Sequence, residues 1–302
     1  MKTRIQIMLI LCKIKLFCIK NRIPNKLKNY EMVYPPFYNY FAYWIIIISC
    51  FHINYGYCKN YPSELLGCVF QTTLNTTKEI PVLSYHQIRN LKPSDSKKNS
   101  TYILSIQYFK EHMQMLRDSG YHPILPDQYI EFVQNGKPIP PKPIVITFDD
   151  GTIGQYEHAL PILEKFGFKA VFFIMTITLN KQGYLNNEQI KKIANKGNRI
   201  GCHTWDHHNV TKYENTDWKL QVEKPTQVLQ EITGMPIKYF AYPYGEWNHL
   251  SIIKIKEYGF KCAFQLGGKM DTEEPLFTIK RILVDGSWSA KDLNNIIKKQ
   301  LR

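Results

Sequence analysis

Residues 144–151 read Ile144-Val145-Ile146-Thr147-Phe148-Asp149-Asp150-Gly151. Three consecutive β-branched residues predict a buried strand, and two adjacent carboxylates then break the pattern before a glycine. Side chains alternate faces along a strand, so neighbouring aspartates can serve one site only where the strand ends. Gly151 permits the dihedrals that such a turn requires. A strand end of this kind offers an anionic metal ligand and a base beside a metal-bound water. The same pair also fits the cap of a helix starting near Tyr156, and the dipeptide alone leaves both readings open.

Working outward, strand-like apolar runs stand at residues 81–85, 143–148, 170–175, 199–203, 239–242, 261–264 and 277–284. Between them, apolar residues three and four apart predict helices over 106–119, 127–134, 156–166, 187–196, 217–233, 249–258 and 291–301. Gly120, Gly136, Gly167, Gly197, Gly234 and Gly259 supply helix stops. Strand and helix in alternation predict an α/β fold with a parallel sheet, and about seven such units predict a distorted (β/α) barrel. Chemistry in such barrels collects at the C-terminal ends of strands, where Asp149, Asp150 and His203 fall. Residues 90–101 are polar and read as a surface loop. Residues 137–143 carry Pro138, Pro140, Pro141 and Pro143 and read as a stiff connector.

Composition sets the outer bounds. The 302 residues, 44% hydrophobic and 14% aromatic, suit one large domain or two small ones. The net charge of +14 is concentrated: residues 1–30 hold eight Lys or Arg and no acidic residue, leaving 31 basic against 25 acidic, or +6. That mild balance, without zinc-finger spacing or an aromatic RNA-binding motif, predicts no nucleic-acid partner. Phe41-Ala42-Tyr43-Trp44-Ile45-Ile46-Ile47-Ile48-Ser49-Cys50 is short for a bilayer span but suits the hydrophobic region of a signal, with basic residues upstream. Residues 1–60 are therefore assigned to targeting, 61–77 to a linker and 78–302 to the catalytic domain. Met1 and Met32 both qualify as the start. A signal cut between Cys50 and Cys58, a lipoprotein box ending at a lipidated Cys50, and an uncleaved anchor all fit. Each predicts secretion or attachment to the cell envelope.

Five of the seven cysteines, Cys12, Cys18, Cys50, Cys58 and Cys68, precede the domain, and none forms a C-x-x-C pair. A thiolate zinc site is therefore not expected. A Cys58–Cys68 disulfide suits an exported protein but is not determined by the sequence, and Cys202 and Cys262 read as core residues.

A second motif, His203-Thr204-Trp205-Asp206-His207-His208, places two imidazoles four residues apart after a strand. Two His and one carboxylate make a three-ligand set with an open water position. His207 ranks before His208 as the second ligand, and Thr204 and Asp206 are candidates to orient the imidazoles. Thr147-Phe148-Asp149-Asp150 and His203-x-x-x-His207 resemble the first two motifs of the polysaccharide deacetylases, the NodB-homology or carbohydrate esterase family 4 domain. Phe240-Ala241-Tyr242-Pro243-Tyr244-Gly245 resembles the third, and the likeness covers about residues 78–290.

The resemblance implies that Asp149 is the general base and that Asp150, His203 and His207 hold a divalent metal, zinc first, with cobalt or nickel as alternatives. It places an oxyanion-binding amide at Tyr244, after the turn-fixing Pro243. Two departures stand out. Ala241 occupies the position of the motif's arginine partner of the base, and Arg281 is the candidate replacement. No histidine follows His249 to provide the usual C-terminal acid. Pro81-Val82-Leu83-Ser84-Tyr85-His86 instead resembles the circularly permuted branch acting on poly-β-1,6-N-acetylglucosamine, which makes His86 the acid. Asp285-Gly286-Ser287-Trp288 resembles the fourth motif, with Trp288 as a pocket wall. Trp205, Tyr242, Tyr244 and Trp247 are candidate platforms for sugar rings.

The expected activity is metal-dependent removal of N-acetyl groups from a GlcNAc-containing polysaccharide. An O-acetyl esterase and a carbohydrate-binding protein with impaired catalysis are the alternatives, the latter kept open by Ala241. The expected partner is an acetylated polysaccharide, with membrane attachment through the N-terminal segment or Cys50.

Overall fold

Ten strands cross the residues that the computed structural model describes, 79–301. They are β1 Val82–Tyr85, β2 Gln87–Ile88, β3 Ile103–Leu104, β4 His122–Pro123, β5 Pro143–Phe148, β6 Val171–Ile174, β7 Arg199–Cys202, β8 Tyr239–Ala241, β9 Cys262–Leu266 and β10 Ile279–Leu283. Seven of them, β1, β10, β9, β8, β7, β6 and β5, pair in parallel in that order. Pairing of β1 with β5, from Val82 opposite Val145 to Tyr85 opposite Phe148, closes the ring. The seven apolar runs read from the sequence are these seven strands. Strand β4 adds to the N-terminal end of β5, and β2 pairs with β3 as a separate two-stranded sheet. The expected barrel is the observed one. The targeting segment, the linker, Met32, Cys50 and the Cys58–Cys68 pair lie outside the described residues.

The helices are α1 Ile106–Asp118, α2 Pro126–Asn135, α3 Leu160–Lys165, α4 Asn187–Asn195, α5 Lys224–Thr233, α6 His249–Glu257 and α7 Ala290–Gln300. Two differ from expectation. The helix expected over 156–166 opens with a π-turn, Gln155–Ala159, before α3, and that expected over 217–233 opens with the π-turn Lys219–Glu223 before α5. Each widened turn stands just before a proline, Pro161 or Pro225. Proline donates no hydrogen bond and its ring collides with the carbonyl four residues back. The preceding residue therefore bonds one step further: Leu160 N–H reaches Gln155 O, and Lys224 N–H reaches Lys219 O. Within the expected 90–101 loop, Lys97–Ser100 forms a single helical turn capped by Ser96.

Alternation along β5 divides its side chains between two environments. Phe148 lies flat on Phe172 at 4.8 Å between ring centroids and stacks on Tyr85 at 5.6 Å, while Phe109 of α1 meets Tyr85 edge-on. On the opposite face, Thr147 and Asp149 are buried beside Ser84 and Arg281. The outer face thus welds sheet to helix, while the inner face carries a polar column toward the C-terminal rim. Cys202 and Cys262 are free and buried, as core residues should be.

Candidate active site

Strand β5 ends by delivering Asp149, 1% exposed, into the barrel interior. The chain then turns sharply: Asp150 has φ 72° and Gly151 φ 70°. That left-handed step brings the second carboxylate to the same side as the first. The bond from Asp149 N–H to Tyr85 O is 2.9 Å and holds this corner to β1.

Strand β7 ends one residue before His203, which is 1% exposed. Its Nδ1–H donates to Ala241 O at 2.8 Å, which leaves Nε2 as the unprotonated nitrogen. Nε2 is buried without a hydrogen-bond partner, 3.6 Å from Asp150 Oδ1 and 3.9 Å from Asp149 Oδ2. An orphaned lone pair in such a place costs desolvation unless something fills it. Donor atoms of Asp150, His203 and His207 lie within 4.8 Å of one another. One carboxylate oxygen and two imidazole nitrogens make a donor set that fits a divalent transition metal.

Thr204 Oγ1 accepts the His207 N–H at 3.0 Å, and Asp206 Oδ1 accepts the His208 N–H at 3.1 Å. Both shape the loop, but among the described contacts neither orients an imidazole; for His203 the Ala241 carbonyl does that. His208 is exposed and outside the cluster.

The partner of Asp149 is Arg281 on β10, 2% exposed. Nη1 donates to Oδ1 at 2.7 Å and Nη2 to Oδ2 at 2.8 Å, while Nη1 also reaches Thr147 Oγ1 at 3.2 Å. Burial opposes a charge on Asp149, yet the guanidinium, together with His203 and His86, holds the carboxyl well below the usual carboxylate range. Asp150 behaves oppositely: burial and then the Asp149 charge push it up to about 7. His86, at the end of β1, has Nε2 4.0 Å from Asp149 Oδ2. Burial pushes His86, His203 and His207 down to about 4, against the pull of Asp149.

A cavity of about 310 Å³ opens onto these groups. Its lining includes His86, Asp149, Asp150, His203, His207 and Tyr244, together with Gln87, Asn99, Tyr102 and Leu266. Tyr102, with its ring 5.1 Å from that of His86, sits on the β2–β3 excursion. Sequence reading missed these last four. They come from a polar loop and strand ends whose local pattern carries no site signal.

Tyr244 follows Pro243 with φ 59° and ψ 2°, its ring 4.4 Å from His207 and 60% exposed. The turn is pressed on β9: a Cβ on Gly245 would stand 2.2 Å from Leu266 N. Of the six non-glycine residues with positive φ among those described, Asp150, Thr204, His207 and Tyr244 all belong to the site loops. Backbone strain of this kind persists only where surrounding structure imposes it.

Tyr242, Pro243, Trp205, Trp288 and Trp247 are not among the residues that line the cavity. Tyr242 is completely buried, its ring against Phe240 at 5.3 Å, because the residue before the turn still alternates into the core. Pro243 is buried and shapes the turn. Trp205 is outside the cavity lining; its main-chain N–H donates to Gln221 Oε1 and its main-chain carbonyl accepts from Ile177 N–H. Trp288 packs on the core and its carbonyl meets His112 Nε2 at 2.9 Å. Trp247 is turned to Gln265 Oε1 at 3.0 Å.

Residues 136–263 match the profile of the polysaccharide deacetylase family. A poly-β-1,6-N-acetyl-D-glucosamine N-deacetylase of Staphylococcus aureus (strain MRSA252) is 27% identical over 227 residues, covering 67% of this chain and 77% of the relative. The enzyme of the same name from Escherichia coli (strain K12) is 26% identical over 226 residues, 61% of this chain but only 34% of the relative. The Streptococcus pyogenes deacetylase PplD, solved with acetate, superimposes with a TM-score of 0.67 at 23% identity, covering 72% of this chain and 98% of that one. That likeness is one of fold.

Proposed function

We propose, from the polysaccharide deacetylase domain matched at residues 136–263, that this chain is a metal-dependent hydrolase releasing acetate from N-acetylated glucosamine units of a polysaccharide. The observation that carries this reading is the convergence of Asp150, His203 and His207 with Asp149 and His86 in one cavity. A divalent cation held by the three ligands, zinc first, would acidify a water and polarise the acetamide carbonyl.

The chain's own groups supply the rest. Asp149, ionised and aligned by Arg281, accepts the proton of the attacking water. Arg281 also keeps Asp149 from retaining that proton. His86 Nε2 is 4.0 Å away, and burial favours the uncharged form of its imidazole. In this reading it takes up the proton, through an intervening water or on closer approach, and gives it to the departing nitrogen. The Tyr244 backbone N–H is the donor assigned to the oxyanion, worth about 3 kcal/mol of barrier for groups of that kind. Export by residues 1–60 would bring the site to an envelope or extracellular polymer.

The test is acetate release from β-1,6-linked N-acetylglucosamine oligomers with and without chelator, beside an O-acetylated polymer. Chelator-sensitive release from the amide supports the reading. Release from the ester alone replaces it with an esterase.

A further inference from the structure

The ladder between β1 and β5 ends at the bond from Asp149 N–H to Tyr85 O. Past that point the strands diverge: His86 leads into β2, and Asp150 turns away with φ 72°. The residues assigned as base and proton donor thus stand where the sheet no longer holds them. Gln155, completely buried at the head of its π-turn, fills this gap. Its Nε2 lies 2.9 Å from His86 O and 2.6 Å from Asp149 O. Only an amide NH2 can sit between two carbonyl oxygens, so the orientation of the carboxamide is chemically determined.

We propose that Gln155 is a positioning residue, whose carboxamide sets the separation of His86 and Asp149 by tying together their own main-chain carbonyls. The assignment of base and donor rests on the deacetylase reading; the clamp itself does not.

Two observations point past ordinary packing. Gln155 Oε1 is buried without a hydrogen-bond partner, so the side chain is desolvated for the sake of its NH2 end. The turn is also docked tightly, since a Cβ on Gly154 would stand 2.2 Å from Ile88 O in β2. Gln155 is the first residue of that π-turn, and its carbonyl accepts the Leu160 N–H. Thr152 Oγ1 makes a longer, 3.3 Å contact to the same His86 carbonyl and is a secondary tie.

Gln155→Leu removes both donated bonds at nearly constant volume, and Gln155→Asn keeps the amide but is one methylene too short to span both carbonyls. Each variant is to be crystallised, assayed on N-acetylglucosamine oligomers and checked for zinc content. The expected result is a His86–Asp149 separation visibly larger than 4.0 Å. With it should come at least a tenfold loss of kcat, KM within twofold and a zinc content equal to that of the parent. An unchanged separation, or full kcat with only a lower Tm, overturns the proposal and leaves Gln155 a structural brace. If Gln155→Leu does not fold, Gln155→Asn decides by the same measurements. If the parent chain releases no acetate, the deacetylase reading fails while the crystallographic comparison still decides the clamp.

Discussion

The guanidinium of Arg281 and the carboxylate of Asp149 form a two-point ion pair at the centre of the barrel, with contacts of 2.7 and 2.8 Å. The residues are 132 apart in sequence and both almost fully buried. Arg281→Met leaves a buried carboxylate without its counter-charge, an omission that typically costs about 3–5 kcal/mol. Thermal unfolding should show that loss, and acetate release should drop by roughly two orders of magnitude, about 2.7 kcal/mol of barrier. Arg281→Lys keeps the charge but presents a single point rather than a planar fork, so it should recover stability better than rate. A Lys variant as active as the parent would show that charge alone suffices.

Loss of either group assigned to proton transfer should separate activity from folding. Asp149→Asn cannot accept the water's proton, and a rate near that of the parent would remove Asp149 from its role. His86 Nδ1 is buried with no hydrogen-bond partner, so truncation relieves a desolvated atom as well as removing a ring. His86→Ala should therefore lower kcat about 100-fold or more, in the range for lost acid–base catalysis, while Tm changes little. Equal falls in both would mark the ring as structural.

Metal should act on stability as well as on rate. A cation that binds the folded chain alone adds about 2.7 kcal/mol at a hundredfold excess over its dissociation constant. Zinc added to chelator-treated protein should raise Tm, and the rise should vanish in Asp150→Asn, which removes the anionic ligand. A zinc-dependent Tm increase that survives in that variant would place the metal elsewhere.

The metal-free protein should lose stability on mild acidification. His86, His203 and His207 sit at about 4, below the ordinary histidine value, so between pH 6.5 and 4 the unfolded chain binds more protons at these positions. Their contribution is present above pH 6.5 and is lost as pH falls toward 4. Asp150, pushed up to about 7, works in the opposite sense, because its folded form takes up a proton first. Three groups outweigh one. Calorimetry of chelated protein at pH 7.5 and 5 should give the lower Tm at pH 5; an equal or higher value contradicts the balance.

Tyr244 offers a trade of stability against function. An aromatic residue at φ 59° pays for its position in backbone strain, of order 1–3 kcal/mol. Since the ring is 60% exposed, glycine loses little burial there. Tyr244→Gly should raise Tm or leave it unchanged after glycine's own entropy cost of about 0.5–1 kcal/mol. Activity should fall, because the ring covers His207 at 4.4 Å. A clear loss of Tm would show that the ring, not the dihedral, dominates.

Much of this architecture was legible in one dimension. The β-branched run before Asp149, the glycine stops and the seven alternating units are local patterns, and local patterns survive folding because burial acts on each strand and helix separately. Motif spacing likewise brought Asp149, Asp150, His203 and His207 to strand ends. Other features are not local. Residue type alone does not place Tyr242, which is completely buried: whether an aromatic ring faces solvent or core depends on strand phase and on neighbours remote in sequence. The π-turns before Pro161 and Pro225 were missed because helical periodicity continues through a one-residue expansion.

By itself, the sequence determined the order of elements, their faces and the residue types available for chemistry. Only the tertiary structure decided which of them meet. Barrel closure by β1 against β5 brings His86 beside Asp149; β10 delivers Arg281 onto the Asp149 carboxylate; and Gln155 spans two strand ends. Each is a contact between distant positions, fixed by ring closure and strand register rather than by any local preference of the chain.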